Sequence, residues 1–375
     1  MKPAASDRRV PFLDALRGFA ALWVVLFHCA EGRHLPALTA AMPAWLARGV
    51  FEAGHLGVPI FFVLSGFVLA RISIGKLATL AAASRFVAQR LIRLSPPYYV
   101  AVGLGLAVSM SKRGLEGGAA PSAGQVLVHL AYAQDILHVP PLSAVFWTLA
   151  FEVQFYVAFA LLLWAASASL ASSAAGPDGA GLRAARQWLL VAVAAACALL
   201  WPIRPQTTTL WNGGFLGFWY SFLCGALVGL ARPGQGRRAL VALAHVAVVA
   251  AIALAAGDAF AGATAATALL ILAAERWPAL GMLLGRTPLT ALGLVSYSLY
   301  LFHNPVTGVT ARVVRRFVGS SVAGDALLLA IVLAACIGFA VAAYLLVERP
   351  AIRWSHAFAR WHGGSTGDAA AIAGR

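Results

Sequence analysis

Arg17 and His28 lie at the two ends of an otherwise apolar stretch that reads RGFAALWVVLFH. Eleven residues make about three turns of an α-helix, so both side chains lie on one face, about 16 Å apart along the axis. At that separation they cannot touch, and the spacing predicts two separate roles. The alternative without chemistry is that Arg17 extends to the membrane surface and His28 only hydrogen-bonds a neighbouring helix.

Other polar residues interrupt apolar stretches in the middle of the chain. Ser65 and Gly66 lie in GHLGVPIFFVLSGFVLA, where a close helix crossing through small residues is the simplest explanation. Glu152 lies in FWTLAFEVQFY, with Thr148 and Tyr156 one turn away on the same helix face. A glutamate inside a membrane span is hard to explain by packing, so it indicates function.

Three more ionisable residues lie near the ends of apolar stretches. Asp14 precedes Arg17 by three residues and is expected to pair with it on the helix. His303 lies in SYSLYLFHNPV, and Glu348 lies in YLLVERPAIRW near the end of the last apolar stretch. Each has a structural alternative, which is a hydrogen bond to a neighbouring helix or a charge at a helix end.

The sequence contains none of the common cofactor or nucleotide motifs. It has no P-loop, dinucleotide fingerprint, metal-ligand spacing or Gly-x-Ser-x-Gly elbow. The four cysteines lie inside apolar stretches and are interpreted as small core residues. The chemistry that is left belongs to arginine, which binds phosphate in a fork geometry, and to histidine, which suits general-base catalysis near neutral pH.

The composition indicates an integral membrane protein. Of the 375 residues, 61% are hydrophobic and 11% are charged, whereas a soluble globular protein averages about 45–50% apolar and about 25% charged. The net charge of +15 would suggest a nucleic-acid partner in a soluble protein. Here the basic residues lie between apolar stretches, so we attribute them to membrane topology and expect no nucleic acid.

Apolar stretches long enough to cross a bilayer recur along the chain. They predict an all-α, polytopic membrane helix bundle with about ten transmembrane helices. The first stretch is interpreted as a span and not as a signal peptide, because it carries Arg17 and lacks a small-residue cleavage site. The predicted spans are 12–30, 56–72, 97–111, 145–165, 188–203, 213–231, 239–256, 259–274, 289–306 and 324–347.

The distribution of lysine and arginine predicts that both termini are cytoplasmic. This topology places His28, Glu152 and His303 in the outer half of the membrane. A cluster of three arginines within 312–316 would then lie on the outer side, against the usual distribution of basic residues, and the sequence offers no explanation for it. Residues 77–97 are basic and amphipathic, and we expect them to lie along the inner surface and to end at the two prolines, 96–97. We expect a membrane domain over 10–355 and a flexible tail over 356–375.

Six motifs are spread along the chain. They are FLDALRG with the Arg17–His28 spacing, FFVLSGF at 61–67, RLIRLSPPYY at 90–99, WTLAFEVQFY at 147–156, SYSLYLFH at 296–303 and VERP at 347–350. Each is weak alone, but the six together, in this order, closely resemble the acyltransferase 3 family of bacterial membrane transferases. In the fourth motif, Thr148 replaces the serine that usually follows the tryptophan in the family, and Val153 stands where a second acidic residue is often found.

The resemblance implies an enzyme of the bacterial inner membrane. It would move an acyl group, most commonly acetyl, from cytoplasmic acyl-coenzyme A to a hydroxyl of a carbohydrate or lipid-linked glycan, such as cell-surface polysaccharide. Acyl-coenzyme A would be a co-substrate, with no bound cofactor and no metal. The rival interpretations are a transporter of a small solute or glycolipid and a non-catalytic scaffold.

A mechanism built on this resemblance explains the Arg17–His28 spacing. Arg17, Arg90 and Arg93 would bind the coenzyme A phosphates, and the pantetheine arm would reach His28 along the bundle. His28 would act as the general base, or would carry the acyl group itself, while Glu152 would orient His28 or polarise the acceptor. The expected supporting residues are Asp14, Ser65, Trp147, Thr148, Tyr156, Tyr297, His303 and Glu348.

Overall fold

The computed structural model describes most of the 375-residue chain. Within that part helices dominate and β-strands are absent, which confirms the predicted all-α class. Long apolar stretches form helices because a lipid environment requires every backbone polar group to be paired internally. The described residues are 10–73, 77, 79–116, 120–171, 198–199, 214–231 and 236–363.

The helices are numbered here in chain order over the described residues. Single tight helical turns lie at Glu52–Leu56 and Phe215–Phe218, and a π-helical turn lies at Tyr344–Glu348. The α-helices are α1 (Pro11–Glu31), α2 (Pro36–Ala41), α3 (Ala44–Val50), α4 (Gly57–Ser73), α5 (Leu80–Glu116), α6 (Ala123–Leu130), α7 (Phe146–Ala171), α8 (Trp219–Leu230), α9 (Gly236–Ala256), α10 (Ala259–Arg276), α11 (Pro278–Gly285), α12 (Leu289–Leu294), α13 (Ser296–Val314), α14 (Val322–Ala343) and α15 (Arg349–Gly363).

Seven helical stretches of the described chain are long and apolar enough to cross a membrane, so the protein is a multi-pass membrane protein. The predicted span 188–203 lies almost wholly outside the described residues, and the predicted span 289–306 is divided between α12 and α13. A shorter apolar helix covers Phe215–Leu230. The seven are Pro11–Glu31, Ala44–Ser73, Leu80–Ser111, Phe146–Ala165, Gly236–Ala256, Ala259–Arg276 and Val322–His362.

The prediction that Pro96 and Pro97 end a helix is wrong. Helix α5 continues through both prolines without a break. A proline inside a membrane helix is tolerated when neighbouring side chains satisfy the backbone groups around it. The two prolines remove the N–H donors of the Ile92 and Arg93 carbonyls. In the same turn, the Tyr297 hydroxyl of α13 donates to the Leu94 carbonyl at 2.7 Å, so α13 contacts the α5 backbone at this point.

Helices α4 and α8 cross closely through two glycines. A Cβ atom at Gly66 would collide with the carbonyl oxygen of Phe222, and one at Gly225 would collide with that of Val63. Small residues allow two membrane helices to approach until their backbones touch. Close packing therefore explains Gly66, as the simpler interpretation expects.

The segment after α1 is fixed by one fully buried carboxylate. Asp325 of α14 accepts hydrogen bonds from the backbone N–H groups of Ala37 (2.7 Å) and Leu38 (3.0 Å). Arg315 donates to Asp325 at 2.7 Å and to the His34 carbonyl at 2.5 Å. Burial and the Arg315 charge lower the pKa of the His34 imidazole. Arg315 belongs to the basic cluster at 312–316, so this network gives one member of that cluster a structural role.

Candidate functional site

A cavity of about 550 Å³ brings together most of the residues predicted for the site. Helices α1, α4, α5, α7, α13 and α15 contribute to its walls, so residues far apart in sequence meet there. Only three of the predicted residues do not line it, and they are His28, Trp147 and His303. Those that do are Asp14, Arg17, Ser65, Arg90, Arg93, Thr148, Glu152, Tyr156, Tyr297 and Glu348.

One end of the cavity, called the basic end below, is lined by arginines. Arg17 of α1 lies 3.6 Å from Asp14, which confirms the expected pair one turn apart. Arg90 and Arg93 come from α5 and are partly buried. Several guanidinium groups around one cavity make an environment that suits an anionic ligand such as a phosphate ester.

Two arginines of α15 also line the basic end, although neither was predicted as a site residue. They are Arg349, which lies in the VERP motif, and Arg353, and both are exposed. His356 follows three residues after Arg353 and lines the same cavity. Their spacing places all three on one helix face, and that periodicity, which begins in the VERP motif, was the signal available in the sequence.

Glu152 lies in the wall of the cavity with two hydroxyl partners. Ser65 donates to its carboxylate at 2.5 Å, and Tyr156, one turn further along α7, donates to the same oxygen. Ser65 therefore has a polar role even though its neighbour Gly66 serves packing. In the described part of the chain no hydrogen bond joins Glu152 to His28, so the structure does not bring these two residues together as the mechanism expected.

The other end of the cavity is formed by a hydroxyl pair and an aromatic ring. The Thr148 hydroxyl donates to the Val145 carbonyl at 3.0 Å, so its oxygen accepts the hydrogen of Tyr300, whose hydroxyl lies 2.7 Å away. The ring of Phe61 packs edge-on against Tyr300, with centroids 5.5 Å apart. Tyr300 was not among the predicted site residues, although it lies within SYSLYLFH.

His28 and His303 lie beyond Tyr300, outside the cavity. The ring centroids of Tyr300 and His303 are 5.9 Å apart, and those of His303 and His28 are 5.1 Å apart. Trp147 instead packs with Phe62 and other aromatic rings of the core. The predicted site is therefore divided into a cavity and a histidine pair on the far side of Tyr300, which we call the His28 end.

Hydrogen bonds define the protonation of both imidazoles. Nδ1 of His28 lies 2.6 Å from the carboxylate of Glu31, which only accepts, so Nδ1 carries the hydrogen and Nε2 is the basic atom. Nδ1 of His303 donates in the same way to the Tyr300 carbonyl at 2.7 Å. Nε2 of His303 is buried and has no hydrogen-bond partner in the described structure.

Glu31 is the second residue that sequence reasoning missed at this end. It follows His28 by three residues, so both side chains lie on one face of α1 near its last turn. The signal was present in the sequence, since Glu31 lies three residues after His28 and directly after the predicted span 12–30. No group of three or more potential metal ligands occurs within the described residues.

Comparison with known proteins places the chain in a family. The acyltransferase domain family matches residues 10–347, which is most of the chain, so the protein belongs to that family. It is a membrane O-acyltransferase. The match confirms the resemblance that the six motifs indicated.

Several proteins are similar to this chain, but no solved structure matches it significantly. The exopolysaccharide production protein ExoZ of Rhizobium meliloti (strain 1021) is 29% identical over 338 residues, which cover 88% of this chain and 95% of ExoZ. The regulator of hypoxia-inducible factor 1 of Caenorhabditis elegans is 29% identical over 171 residues, covering 41% of this chain and 34% of that protein. The putative acetyltransferase ORF330 of Acidianus two-tailed virus is 27% identical over 152 residues, covering 40% of each.

Proposed function

We propose that this enzyme transfers an acyl group, preferably acetyl, from acyl-coenzyme A to a hydroxyl of a carbohydrate or lipid-linked glycan. The observation that carries the proposal is a cavity with arginines at one end and hydroxyl groups at the other, beyond which lies a histidine with a carboxylate partner. The similarity to a protein named for exopolysaccharide production supports a cell-surface polysaccharide as the acceptor.

The donor enters the cavity from the basic end in this proposal. Arg17, Arg90 and Arg93 bind the phosphates of coenzyme A, and the pantetheine arm extends along the cavity towards Tyr300. The arm is comparable in length to the separation of about 16 Å between Arg17 and His28, which a continuous α1 keeps fixed. Coenzyme A is a co-substrate here, and no resident cofactor is needed.

The acceptor approaches from the His28 end, where Glu31 is exposed. His28 Nε2 removes the proton of the acceptor hydroxyl as its oxygen attacks the thioester carbonyl carbon; the carbon–sulfur bond breaks, and the imidazolium returns the proton to the coenzyme A thiolate. In the alternative path Nε2 itself attacks the thioester, and the hydroxyl then attacks the acyl-histidine. Both paths require the Tyr300 side chain to move, because its ring lies between the cavity and the His28 end.

Glu152 takes a different role from the one the sequence suggested. With Ser65 and Tyr156 as its partners, it is placed to orient the thioester inside the cavity and not to orient His28. Glu31 is the carboxylate that holds the His28 ring. The tetrahedral oxyanion needs a hydrogen-bond donor, and the Tyr300 hydroxyl becomes a candidate once its side chain moves and its hydrogen leaves Thr148.

Topology follows from where coenzyme A is found. We propose that the basic end faces the cytoplasm of a bacterium, that both termini are cytoplasmic, that the chain crosses the inner membrane about ten times and that 10–355 is the catalytic domain. Because α15 continues to Gly363 and His356 lines the cavity, we extend that domain to residue 363 and regard the rest as the tail.

The proposal is tested with the purified protein in nanodiscs and acetyl-coenzyme A labelled in the acetyl group. We expect His28→Ala to lower the transfer rate to a polysaccharide extract by about 10²–10⁴-fold and to leave donor binding unchanged. Arg17→Ala should weaken donor binding. His55→Ala and Arg48→Ala are matched controls, since both residues are exposed and outside the cavity.

Two results would contradict the proposal. Full transfer by His28→Ala would remove the histidine from the mechanism. Solute flux across proteoliposomes without acetyl-coenzyme A, together with no labelled product, would favour the transporter interpretation over the enzyme.

A further inference from the structure

The basic face of α15 has no role in the mechanism so far. Arg349, Arg353 and His356 all line the cavity, next to Arg93 of α5, whose charge acts on His356. Helix α15 packs along α5, which holds this face beside the cavity. Three side chains from a separate helix thus extend the basic end beyond the three arginines predicted to bind the donor.

The two sets of basic residues lie at different depths. Arg17, Arg90 and Arg93 are partly buried within the bundle, whereas Arg349 and Arg353 are exposed at its edge. The neighbouring face of α15, about a quarter turn round the helix, carries Trp354 and Trp361, which are 59% and 83% exposed. Exposed tryptophans two turns apart on an amphipathic helix are typical of a segment at the membrane–water interface. Arg353 therefore lies at the cavity mouth, near the membrane surface.

This order of charges matches the order of groups in coenzyme A. If the thioester reaches furthest into the cavity, the pyrophosphate follows the pantetheine arm, and the phosphate on the ribose 3′ oxygen is outermost. A pyrophosphate held by the deeper arginines leaves the 3′-phosphate at the mouth, where α15 lies. We propose that Arg353, with Arg349 and His356, forms the subsite for the 3′-phosphate. This inference rests on the proposed function.

An anionic lipid headgroup shares the phosphate chemistry and is the other source of a ligand. The position of the three residues favours the nucleotide, because they line the cavity that also contains Arg90 and Arg93. Arg360 lies on the same helix face two turns beyond Arg353 but does not line the cavity. It is the matched control, because a headgroup on this face would contact both arginines.

The test compares coenzyme A with 3′-dephospho-coenzyme A by calorimetry, with the full-length protein in nanodiscs of neutral phosphatidylcholine. We expect the wild type to bind coenzyme A about tenfold more tightly, which is the effect of losing one charged hydrogen-bonding partner. Arg353→Ala should weaken coenzyme A about tenfold and leave 3′-dephospho-coenzyme A unchanged. Unchanged binding of the second ligand also shows that the variant is folded.

The remaining variants separate the possible outcomes. Arg17→Ala should weaken both ligands equally, Arg353→Lys should keep part of the preference, and Arg360→Ala should change nothing. The subsite is wrong if Arg353→Ala still prefers coenzyme A over 3′-dephospho-coenzyme A as the wild type does. It is also wrong if the effect of Arg353→Ala appears only in nanodiscs with anionic phosphatidylglycerol and is equal for both ligands. If the wild type binds neither ligand, the proposed function itself fails.

Discussion

The cavity and the His28 end, which lie on either side of Tyr300, differ in composition and in the helices that form them. The cavity has several arginines, the carboxylates of Asp14, Glu152 and Glu348 and several hydroxyl groups, contributed by six helices and the π-helical turn. The His28 end has two imidazoles and the Glu31 carboxylate, contributed by α1 and α13 alone. This difference supports the proposed division of labour, in which the cavity holds a long anionic donor and the His28 end moves one proton.

Two ion pairs outside the cavity also differ. Near the segment after α1, Asp325 is fully buried and binds Arg315 and two backbone N–H groups. Between α4 and α10, Arg71 pairs with Glu275, and both side chains are 27% exposed. A buried carboxylate that loses its partners destabilises a protein strongly, while a partly exposed pair contributes little. The Asp325 network should therefore contribute more to stability than the Arg71–Glu275 pair.

The largest effect is expected from breaking this difference in stability. Asp325→Ala leaves Arg315 and two N–H groups without their partner, so it should lower the free energy of unfolding by about 3–5 kcal/mol. Glu275→Ala, the matched change in the partly exposed pair, should cost about 1 kcal/mol or less. Unfolding in detergent followed by tryptophan fluorescence measures both, and equal losses would show that the two ion pairs contribute alike.

A smaller effect should follow from removing the carboxylate that orients His28. Glu31→Gln weakens the 2.6 Å hydrogen bond to Nδ1, so kcat for acetyl transfer should fall about 10–100-fold while KM for acetyl-coenzyme A stays constant. Glu31→Asp should recover part of the loss. The control is Glu52→Gln, an exposed carboxylate near the same end. A change in KM instead of kcat would place Glu31 on the donor side.

The smallest effect is expected from breaking the hydrogen bond between Thr148 and Tyr300, which lies between the cavity and the His28 end. Tyr300→Phe and Thr148→Val each remove the 2.7 Å contact, and a double-mutant cycle should give a coupling energy of about 0.5–1.5 kcal/mol. Either variant should also raise the hydrolysis of acetyl-coenzyme A relative to its transfer, because water then passes Tyr300 more easily. Additive effects and unchanged hydrolysis would show that Tyr300 is not the barrier.

Much of the cavity could be predicted from the sequence. Arg17 and Glu152 stood out because charged residues in apolar stretches are costly and must face a polar interior. The Asp14–Arg17 pair and the shared face of Glu152 and Tyr156 depend only on the α-helical repeat, which the sequence determines directly. Local periodicity therefore predicted which side chains are neighbours within one helix.

Contacts between helices could not be predicted in the same way. Nothing in the sequence gives the distance between α1 and α7, so the expected contact of Glu152 with His28 was a guess that the described structure does not contain. Beside the two prolines of α5, the Leu94 carbonyl accepts a hydrogen bond from Tyr297, a residue about two hundred positions away. Likewise, α15 reaches the cavity only because it packs back along α5.

Helix α1 carries Arg17 and His28 on a single continuous backbone from Pro11 to Glu31. Their separation is therefore set by the pitch of one rod and stays constant when the surrounding helices tilt or slide. In the proposed mechanism this fixed distance selects donors by length, because a molecule bound at the Arg17 guanidinium can react only if its acyl carbon reaches the His28 imidazole.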